Sequence, residues 1–390
     1  MKKRFFPHFN KSNYSTKAVW VYFLYFVTIL LFSVYSYSLV DLNLTLFNNK
    51  LWDSFRNFII QIGYFNRGLS TTIFFSGITI LFILYFLTKK IKPDPIKLAL
   101  LIGLVSLIAY PFLSHDFFNY MFDAKILTFY GKSPYLFKAL DFPADHWIRF
   151  MHWTHRVYPY GPTFLPITLI PSFLSMGKFI LSLFFFKLTF SSFYLAAVWA
   201  VNKIDKNKAL IIAAHPLIII EGLISPHNDL IAMSLGLIGI YLLFNKNLWS
   251  RILFIISGLV KYTTLPILLI SKKNKWLNIL AFTGVLSLLV YLSLFGEIQP
   301  WYFLSLFIFI PIFPELTKNV DIFLLGLLCS YYPYIMLGGW DKPEKTIMKH
   351  QIIIYFFAAN LLALGINKIF YFIKKNSAFN SINNKKINRG

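Results

Sequence analysis

The residues best suited to chemistry in this 390-residue chain lie in one long polar interval, from Ser114 to Pro162. It holds a His115-Asp116 pair, a second carboxylate at Asp123, further histidines, and several lysines and arginines. A connection of roughly fifty residues without low-complexity sequence is longer than a connector needs, and such a segment is usually functional or an additional folded piece. If the protein is an enzyme, this interval is the first place to look for its active site.

Asp116 is the leading candidate for a general base. If residues 116–130 form a helix, Asp116, Asn119, Tyr120 and Asp123 lie within about a third of its circumference, and Lys125 points away. A carboxylate in this place could accept a proton from a hydroxyl group or hold a metal ion. The alternative is local, because Asp116 at a helix start would interact favourably with the helix dipole.

A second polar cluster, Ser225-Pro-His-Asn-Asp229, lies at the junction of two apolar runs, with Glu221 just before it. Charged groups so close to apolar segments are costly and are therefore functional candidates, although Asn228 or Asp229 could simply cap the next helix. Lys261 interrupts a later apolar run, and a cation buried there would require an anionic partner.

The rest of the polar interval favours anion binding over metal ligation. His152 and His155 are three residues apart and, together with His146, could act as metal ligands on a shared helix face. The same segment also contains two tryptophans, Arg149 and Arg156, a composition typical of an interfacial amphipathic helix. The planar guanidinium groups of these arginines suit a phosphate.

Composition identifies a membrane protein. With 57% hydrophobic and 19% aromatic residues, the chain has too few polar groups to cover a soluble globule. The net charge of +23 does not indicate nucleic-acid binding, because the basic residues are dispersed in short clusters between apolar runs. The single Cys329 excludes an internal disulfide.

The apolar runs predict an all-α polytopic protein with about ten spanning helices, a single membrane domain over residues 1–373 and a polar tail over 374–390. Two further runs, 163–176 and 252–270, are too short or too interrupted to cross a hydrocarbon core of about 30 Å, and we expect both to be re-entrant. The predicted spans are 18–40, 70–88, 96–113, 178–200, 208–224, 229–244, 276–295, 302–316, 320–337 and 347–373.

The basic clusters predict the orientation of these spans. With both short runs re-entrant, every cluster falls on the side of the N-terminus, as the positive-inside rule requires. Both termini are then cytoplasmic, and residues 114–162 form an extracytoplasmic loop after the third span. The clusters are Lys89/Lys90/Lys92/Lys97, Lys203/Lys206/Lys208, Lys246/Arg251, Lys272/Lys273/Lys275 and Lys374/Lys375/Lys385/Lys386/Arg389.

The motifs together resemble those of the GT-C superfamily of polyprenyl-phosphate-sugar-dependent glycosyltransferases, and within it the bacterial polytopic mannosyltransferases. Their order and spacing run through about half of the chain. Ser133 departs from the family pattern Gly-x-Asn-Pro-Tyr, and His115 before the aspartate is a second departure. The motifs are Asp116-Phe-Phe-Asn-Tyr120, Gly131-Lys-Ser-Pro-Tyr135, Tyr158-Pro-Tyr-Gly-Pro162, His227-Asn-Asp229, Lys261 and Pro300-Trp-Tyr302.

This resemblance implies transfer of a hexose, expected to be mannose, from a polyprenyl-phosphate donor to an extracytoplasmic glycan or lipid-linked acceptor, with inversion. It implies that Asp116 is the general base. Some members of the superfamily require a divalent metal and others do not, so the sequence leaves a metal open and identifies no ligand or other cofactor. Together with the residue chemistry, it predicts substrate contacts at Tyr120, Asp123, Tyr135, Arg149, Arg156, Tyr160, His227, Asn228, Asp229, Lys261, Trp301 and Tyr302.

The competing interpretation is a transporter or lipid flippase, which would also need broken helices and charges within the membrane. Transporters usually contain paired repeats with their broken helices in corresponding positions. The sequence shows no such pairing, and its outer loop is longer than alternating access requires. A non-catalytic scaffold is disfavoured because most acidic residues are predicted on one face.

Overall fold

A computed structural model describes residues 16–42, 44–245 and 247–387, and side chains within these ranges apart from 245, 247 and those beyond 369. The basic residues Lys2, Lys3, Arg4 and Lys11 of the predicted cytoplasmic N-terminus lie outside the described residues. Helices and irregular connections make up everything described, without a strand. The all-α prediction is therefore confirmed.

The α-helices lie mostly between short turns. They are α1 (Thr16–Ser36), α2 (Lys50–Ile60), α3 (Arg67–Ile91), α4 (Pro95–Ser106), α5 (Asp116–Thr128), α6 (Phe164–Leu174), α7 (Phe179–Asn202), α8 (Lys206–Ala214), α9 (Pro216–Ile218), α10 (Asn228–Asn245), α11 (Asn247–Val260), α12 (Lys275–Phe295), α13 (Leu316–Cys329), α14 (Tyr332–Leu337) and α15 (Pro343–Ile387). The π-helical segments are Gln61–Phe65 and Ile219–Ile224, and the 3-10 segments are Tyr37–Leu39, Ala139–Asp141, His146–Phe150, Tyr262–Leu269 and Pro300–Phe309.

The helices confirm a polytopic membrane protein but correct the expected number of spans. Within the described ranges, six helices are long and apolar enough to cross a membrane, or seven if the pair Lys206–Ala214 and Pro216–Ile224, bent by 51°, counts as one. The predicted spans at 96–113 and 302–316 become the shorter apolar helices Pro95–Ser106 and Pro300–Phe309. In both, apolar sequence continues past the end of regular helix. The predicted span at 229–244 is helical throughout, but the apolar helix Asn228–Phe244 is itself too short to be among the six.

Both runs that were predicted to be too short are short helices. The α6 helix has 11 residues. The other run is broken where expected, since α11 ends at Val260 and a 3-10 segment containing Pro266 begins at Tyr262. Lys261 therefore lies at the break. The last helix continues to Ile387, so the predicted polar tail is helical over most of its length.

The long polar interval is an ordered loop that is fastened to α5. Gly131, with a φ of +63°, ends the turn after α5 in a backbone conformation that glycine adopts without strain. Lys125, predicted to point away from the aspartates, forms an ion pair with Asp145 at 2.5 Å, and the Tyr130 hydroxyl donates to the same carboxylate oxygen at 2.7 Å. These contacts attach residues 139–150 to the side of α5 remote from Asp116.

The expected amphipathic helix around the histidines is shorter than predicted. Regular structure covers only the 3-10 turn His146–Phe150, which Asp145 caps through the backbone N–H of Trp147. His152 and His155 follow in irregular backbone, so they do not share a helix face. The reason is that the backbone N–H of His152 donates to the Asn119 side chain at 3.3 Å rather than to a preceding carbonyl.

The Tyr158–Pro162 turn brings the loop against the broken helix. A Cβ built on Gly161 would lie 1.9 Å from the carbonyl oxygen of Leu259, so this backbone contact requires glycine. The Thr163 hydroxyl donates to the Ile256 carbonyl at 3.0 Å in the same contact. The loop and the break at Lys261 are thus held side by side.

Candidate active site

Two carboxylates from distant parts of the chain lie near one lysine. Asp229, in the first turn of α10, forms an ion pair with Lys261, with 2.9 Å between Oδ2 and Nζ. The Asp229 side chain is only 1% exposed, whereas 21% of the Lys261 side chain is exposed. Because α11 stops at Val260, the lysine leaves the helix in extended backbone and reaches the carboxylate.

Asp116 is the first residue of α5 and is half-buried. Its Oδ1 accepts a hydrogen bond from the Trp153 indole N–H at 3.3 Å, and its backbone N–H donates to the Ser114 hydroxyl at 3.2 Å. Burial raises the pKa of the Asp116 carboxyl, and the charge of Lys261 acts in the opposite direction. The same lysine therefore influences both carboxylates, as a shared site requires.

Cationic and imidazole side chains form the exposed rim beside Asp116. Arg156 stacks over the Trp153 ring, with 3.6 Å from Cζ to the centroid, and lowers the pKa of Asp116 together with His152. The ring of His152 stacks with His115 at 6.3 Å. Arg149 lies over Phe150 at 5.2 Å, and no described contact connects it with Asp116. Of the two predicted arginine ligands, the structure places Arg156 in the cluster.

Aromatic residues line the other sides of this cluster. The Lys261 Nζ lies 4.7 Å from the Tyr302 ring centroid. Tyr120 packs edge-on against Tyr160 at 4.8 Å, and its hydroxyl accepts a hydrogen bond from the backbone N–H of Asn228 at 3.4 Å. The Asn228 amide in turn donates to the Val260 carbonyl at 3.4 Å, which connects α10 to the break at Lys261.

A layer of mostly buried side chains supports the segment that leads into Asp229, which we call the Asp229 arm (residues 225–229). His227 stacks flat on Trp301, with ring centroids 3.8 Å apart. Its Nδ1 lies 3.4 Å from Glu221 Oε2, and the Tyr331 hydroxyl donates to that same oxygen at 3.3 Å. Glu221, His227 and Tyr331 are buried and Trp301 is half-buried, so most of this layer positions the Asp229 arm without contacting solvent.

Two predicted substrate ligands lie beside the cluster. Tyr135 is exposed and packs edge-on against Tyr158 at 5.2 Å. Asp123 is buried, its Oδ2 has no hydrogen-bond partner, and burial raises its pKa to about 8. Its charge also acts on the Tyr158 and Tyr160 hydroxyl groups. Asp123 therefore faces the tyrosines of the loop rather than the exposed rim, and its contact with substrate stays a prediction.

The sequence pointed to most of this cluster but missed two members. The local composition places Trp153 on an amphipathic surface, and no pattern in the sequence singles out Tyr331. Each acts on a residue far away in sequence, with separations of 37 and 110 residues, respectively. No local pattern carries such information. As for metal ligation, the described part of the chain contains no group of three His, Cys, Asp or Glu side chains that could hold an ion.

The helices and this charged cluster define a polytopic membrane protein with an enzyme-like polar site. Residues 44–272 match the family model described as alpha-(1→6)-mannopyranosyltransferase, N-terminal domain, of the MptA/B family. The chain belongs to this family of polytopic GT-C mannosyltransferases, and it is therefore a hexosyltransferase. No curated protein matches the chain. No solved structure matches it either.

Family membership confirms the resemblance and decides against the transporter alternative. The matched region contains Asp116, Asp229 and Lys261. Trp301, Tyr302 and Tyr331 lie beyond residue 272, so the last third of the chain supplies one wall of the cluster.

The raised pKa of Asp123 makes a prediction about stability. An aspartate in the unfolded chain has a pKa near 4. Between about pH 4 and about pH 8 the folded protein retains a proton that the unfolded chain has released. The free energy of unfolding therefore falls as pH rises through this range. Asp123→Asn removes the titration, and we expect its melting temperature to exceed that of the parent at pH 8 to 9 and to depend less on pH.

Thermal melting in detergent between pH 5 and pH 9 measures this. Asp141→Asn, at an exposed carboxylate of the same loop, is the control for the removal of one carboxyl group. An Asp123→Asn profile parallel to that of the parent would contradict a proton held on Asp123.

Proposed function

We propose that the protein transfers mannose from a polyprenyl-phosphate donor to a hydroxyl group of an extracytoplasmic glycan or lipid-linked acceptor, with inversion at the anomeric carbon. The observation that carries the proposal is the position of Lys261, whose charge acts on the partly exposed Asp116 while its ammonium group pairs with Asp229. A base and a cation in one site meet the two needs of this displacement.

In the proposed reaction, Asp116 accepts the proton of the acceptor hydroxyl as its oxygen attacks the anomeric carbon. The bond between that carbon and the donor phosphate oxygen breaks on the opposite side, and the phosphate departs with the bonding electrons. Lys261 and Arg156 stabilise the charge that develops on the phosphate. Asp229 orients the Lys261 ammonium group and is too deeply buried to act as the base itself.

The surface next to Lys261 supports a lipid-linked donor. Tyr262, Leu265 and Leu269 follow the lysine in the 3-10 segment, and all three are exposed. A polyprenyl chain is an apolar tail attached to a phosphate, and burial of each CH₂ group contributes about 0.8 kcal/mol. A donor with its phosphate at Lys261 would have an apolar surface beside it for the tail.

Long-range contacts support the predicted grouping of segments on the two sides of the membrane, while the positive-inside rule supplies the orientation, with both termini cytoplasmic and the 114–162 loop outside. Each contact joins segments that the positive-inside assignment places on the same side of the membrane. Contacts on the predicted inner side are Lys89–Asp321 at 3.2 Å and Lys208 to the Pro311 carbonyl at 2.9 Å, and those on the outer side are Lys349–Glu297 at 2.8 Å and Tyr334 to the Phe112 carbonyl at 3.0 Å.

Replacement of the base tests the mechanism. Asp116→Asn keeps the size and the acceptor oxygen for Trp153 but removes the proton acceptor, so turnover with polyprenyl-phosphate mannose should fall by roughly 10² to 10⁴. The melting temperature should stay near that of the parent, and Asp141→Asn in the same loop should retain full activity. Near-parental transfer by Asp116→Asn would move the base to another carboxylate.

The role of Lys261 can be separated from its pairing with Asp229. Lys261→Met leaves a buried carboxylate unpaired, and breaking such a pair costs about 3–5 kcal/mol. We expect both donor affinity and the melting temperature to fall. In the double variant Lys261→Met/Asp229→Asn no charge is left unpaired, so stability should recover while donor affinity stays at least tenfold weaker.

Donor affinity is measured in the Asp116→Asn background, where the donor is not consumed, and Asp229→Asn alone is the matched control. Recovery of donor binding in the double variant would show that Lys261 serves only to neutralise Asp229.

Cysteine labelling tests the orientation. In a Cys329→Ala background, a membrane-impermeant maleimide should modify Lys132→Cys in the long loop on intact cells. Lys272→Cys, which is equally exposed but predicted to be cytoplasmic, should react only after permeabilisation. The reverse pattern would overturn both the orientation and the extracytoplasmic site.

A further inference from the structure

A single charged residue lies inside α7, one of the helices able to cross the membrane. The α7 helix has 24 residues, and Lys187 is the one charged residue among them. Its exposed fraction is 1%. An ionisable group inside a spanning helix is costly and usually functional. Lys187 belongs to none of the motifs on which the family resemblance rests.

The partners of Lys187 are backbone carbonyls of another segment. Its Nζ donates to the carbonyl oxygens of Leu223 and of Ile224, the latter at 3.0 Å. These residues end the π-helical segment that follows α9, where carbonyl groups lack helical partners and carry partial negative charge. Lys187 therefore fixes the end of this segment from a neighbouring helix.

The segment fixed by Lys187 leads directly into the active-site cluster. Ser225, the next residue, accepts a hydrogen bond on its hydroxyl from the backbone N–H of Leu113 at 3.2 Å. Leu113 precedes Asp116 by three residues, and Asp229 follows Ser225 by four. The hydrogen bond at the Leu223–Ser225 turn thus joins the segment that leads to Asp116 with the segment that leads to Asp229.

The α7 helix also packs against the start of α5, the segment that carries Asp116 and that we call the Asp116 arm. Phe186, next to Lys187, contacts Phe117 with ring centroids 6.1 Å apart, and Phe190 stacks against Tyr120 at 6.3 Å. Both partners lie on α5. One stretch of α7 therefore contacts α5 with aromatic rings and the Leu223–Ser225 turn with an ammonium group.

We propose that Lys187 is a positioning residue, which sets the placement of the Asp229–Lys261 pair relative to Asp116 through the Leu223–Ser225 turn. Its consequence for catalysis rests on the proposed function, whereas its effect on the turn does not. The competing reading is that Lys187 contributes only to the overall stability of the helix bundle.

The first test does not depend on activity. Lys187→Met keeps the length of the side chain and removes the donors, so backbone hydrogen–deuterium exchange in the full-length protein should accelerate in peptides covering residues 219–230. Ser191→Ala is the matched control, because Ser191 lies one turn further along α7 and donates to the Gly103 carbonyl on α4 at 3.2 Å instead. It should leave exchange over 219–230 unchanged.

The second test measures transfer from polyprenyl-phosphate mannose. A shift of the arms by about 1 Å is enough for a loss near 10²-fold, so we expect kcat of Lys187→Met to fall between about 10- and 100-fold. Since Lys187 and Ser225 hold the same turn, the losses caused by Lys187→Met and Ser225→Ala should be non-additive in the double variant. The losses caused by Lys187→Met and Ser191→Ala should add.

Unchanged exchange over residues 219–230, with activity that follows melting temperature as in Ser191→Ala, would overturn the proposal. If the parent protein shows no transfer with this donor, the proposed function fails and the exchange experiment alone decides the role of Lys187. Should Lys187→Met not fold, Lys187→Gln keeps one donor group and is subjected to the same measurements.

Discussion

The structure depends on the ion pair between Asp229 and Lys261. A carboxylate that is to stay ionised when helices enclose it needs a cation beside it, and at Lys261 the chain supplies this cation where a helix is broken. The α11 helix stops one residue before Lys261, and the glycine at 161 allows the Tyr158–Pro162 turn to lie against that break. Asn228 attaches α10 to the same point through the Val260 carbonyl. The irregular backbone around the site thus follows from the need to pair one buried charge.

The two carboxylates differ because their surroundings differ. Asp229 is enclosed and paired, which suits a group that holds a cation in place. Asp116 retains partial exposure and an indole N–H partner, and burial raises its pKa, which suits a group that gains and loses a proton. The exposed side chains of Arg156 and His152 act on Asp116. Substrate can therefore approach one carboxylate while the other stays inside the protein.

Short-range sequence patterns predicted the features that depend on neighbouring residues, namely the helical class and the position of individual helices and breaks. Apolar runs predicted the helical membrane class, the possible helix over 116–130 corresponds to α5, and Lys261, which interrupts an apolar run, marks the break after α11. The number of spans was overestimated, because hydropathy reports where apolar residues occur and not where the backbone stops being helical.

Residues that act across the fold were missed. Trp153 and Tyr331 bond to partners far away in sequence, and a bulky aromatic residue has no pattern that reveals such a partner. Lys187 is an exception, since a lone charge in an apolar helix is visible in the sequence.

The match to the mannosyltransferase family ends at residue 272, whereas the wall that contains Trp301, Tyr302 and Tyr331 begins after it. Asp116 and Lys261 thus lie within the matched N-terminal domain, and the aromatic wall lies in the part of the chain that follows it. If the proposed reaction holds, substitutions at the half-buried Trp301 and Tyr302 would reshape the space beside Lys261 without altering Asp116 or Lys261 themselves. The choice of acceptor and the proposed bond-forming step are then encoded in separate stretches of the same chain.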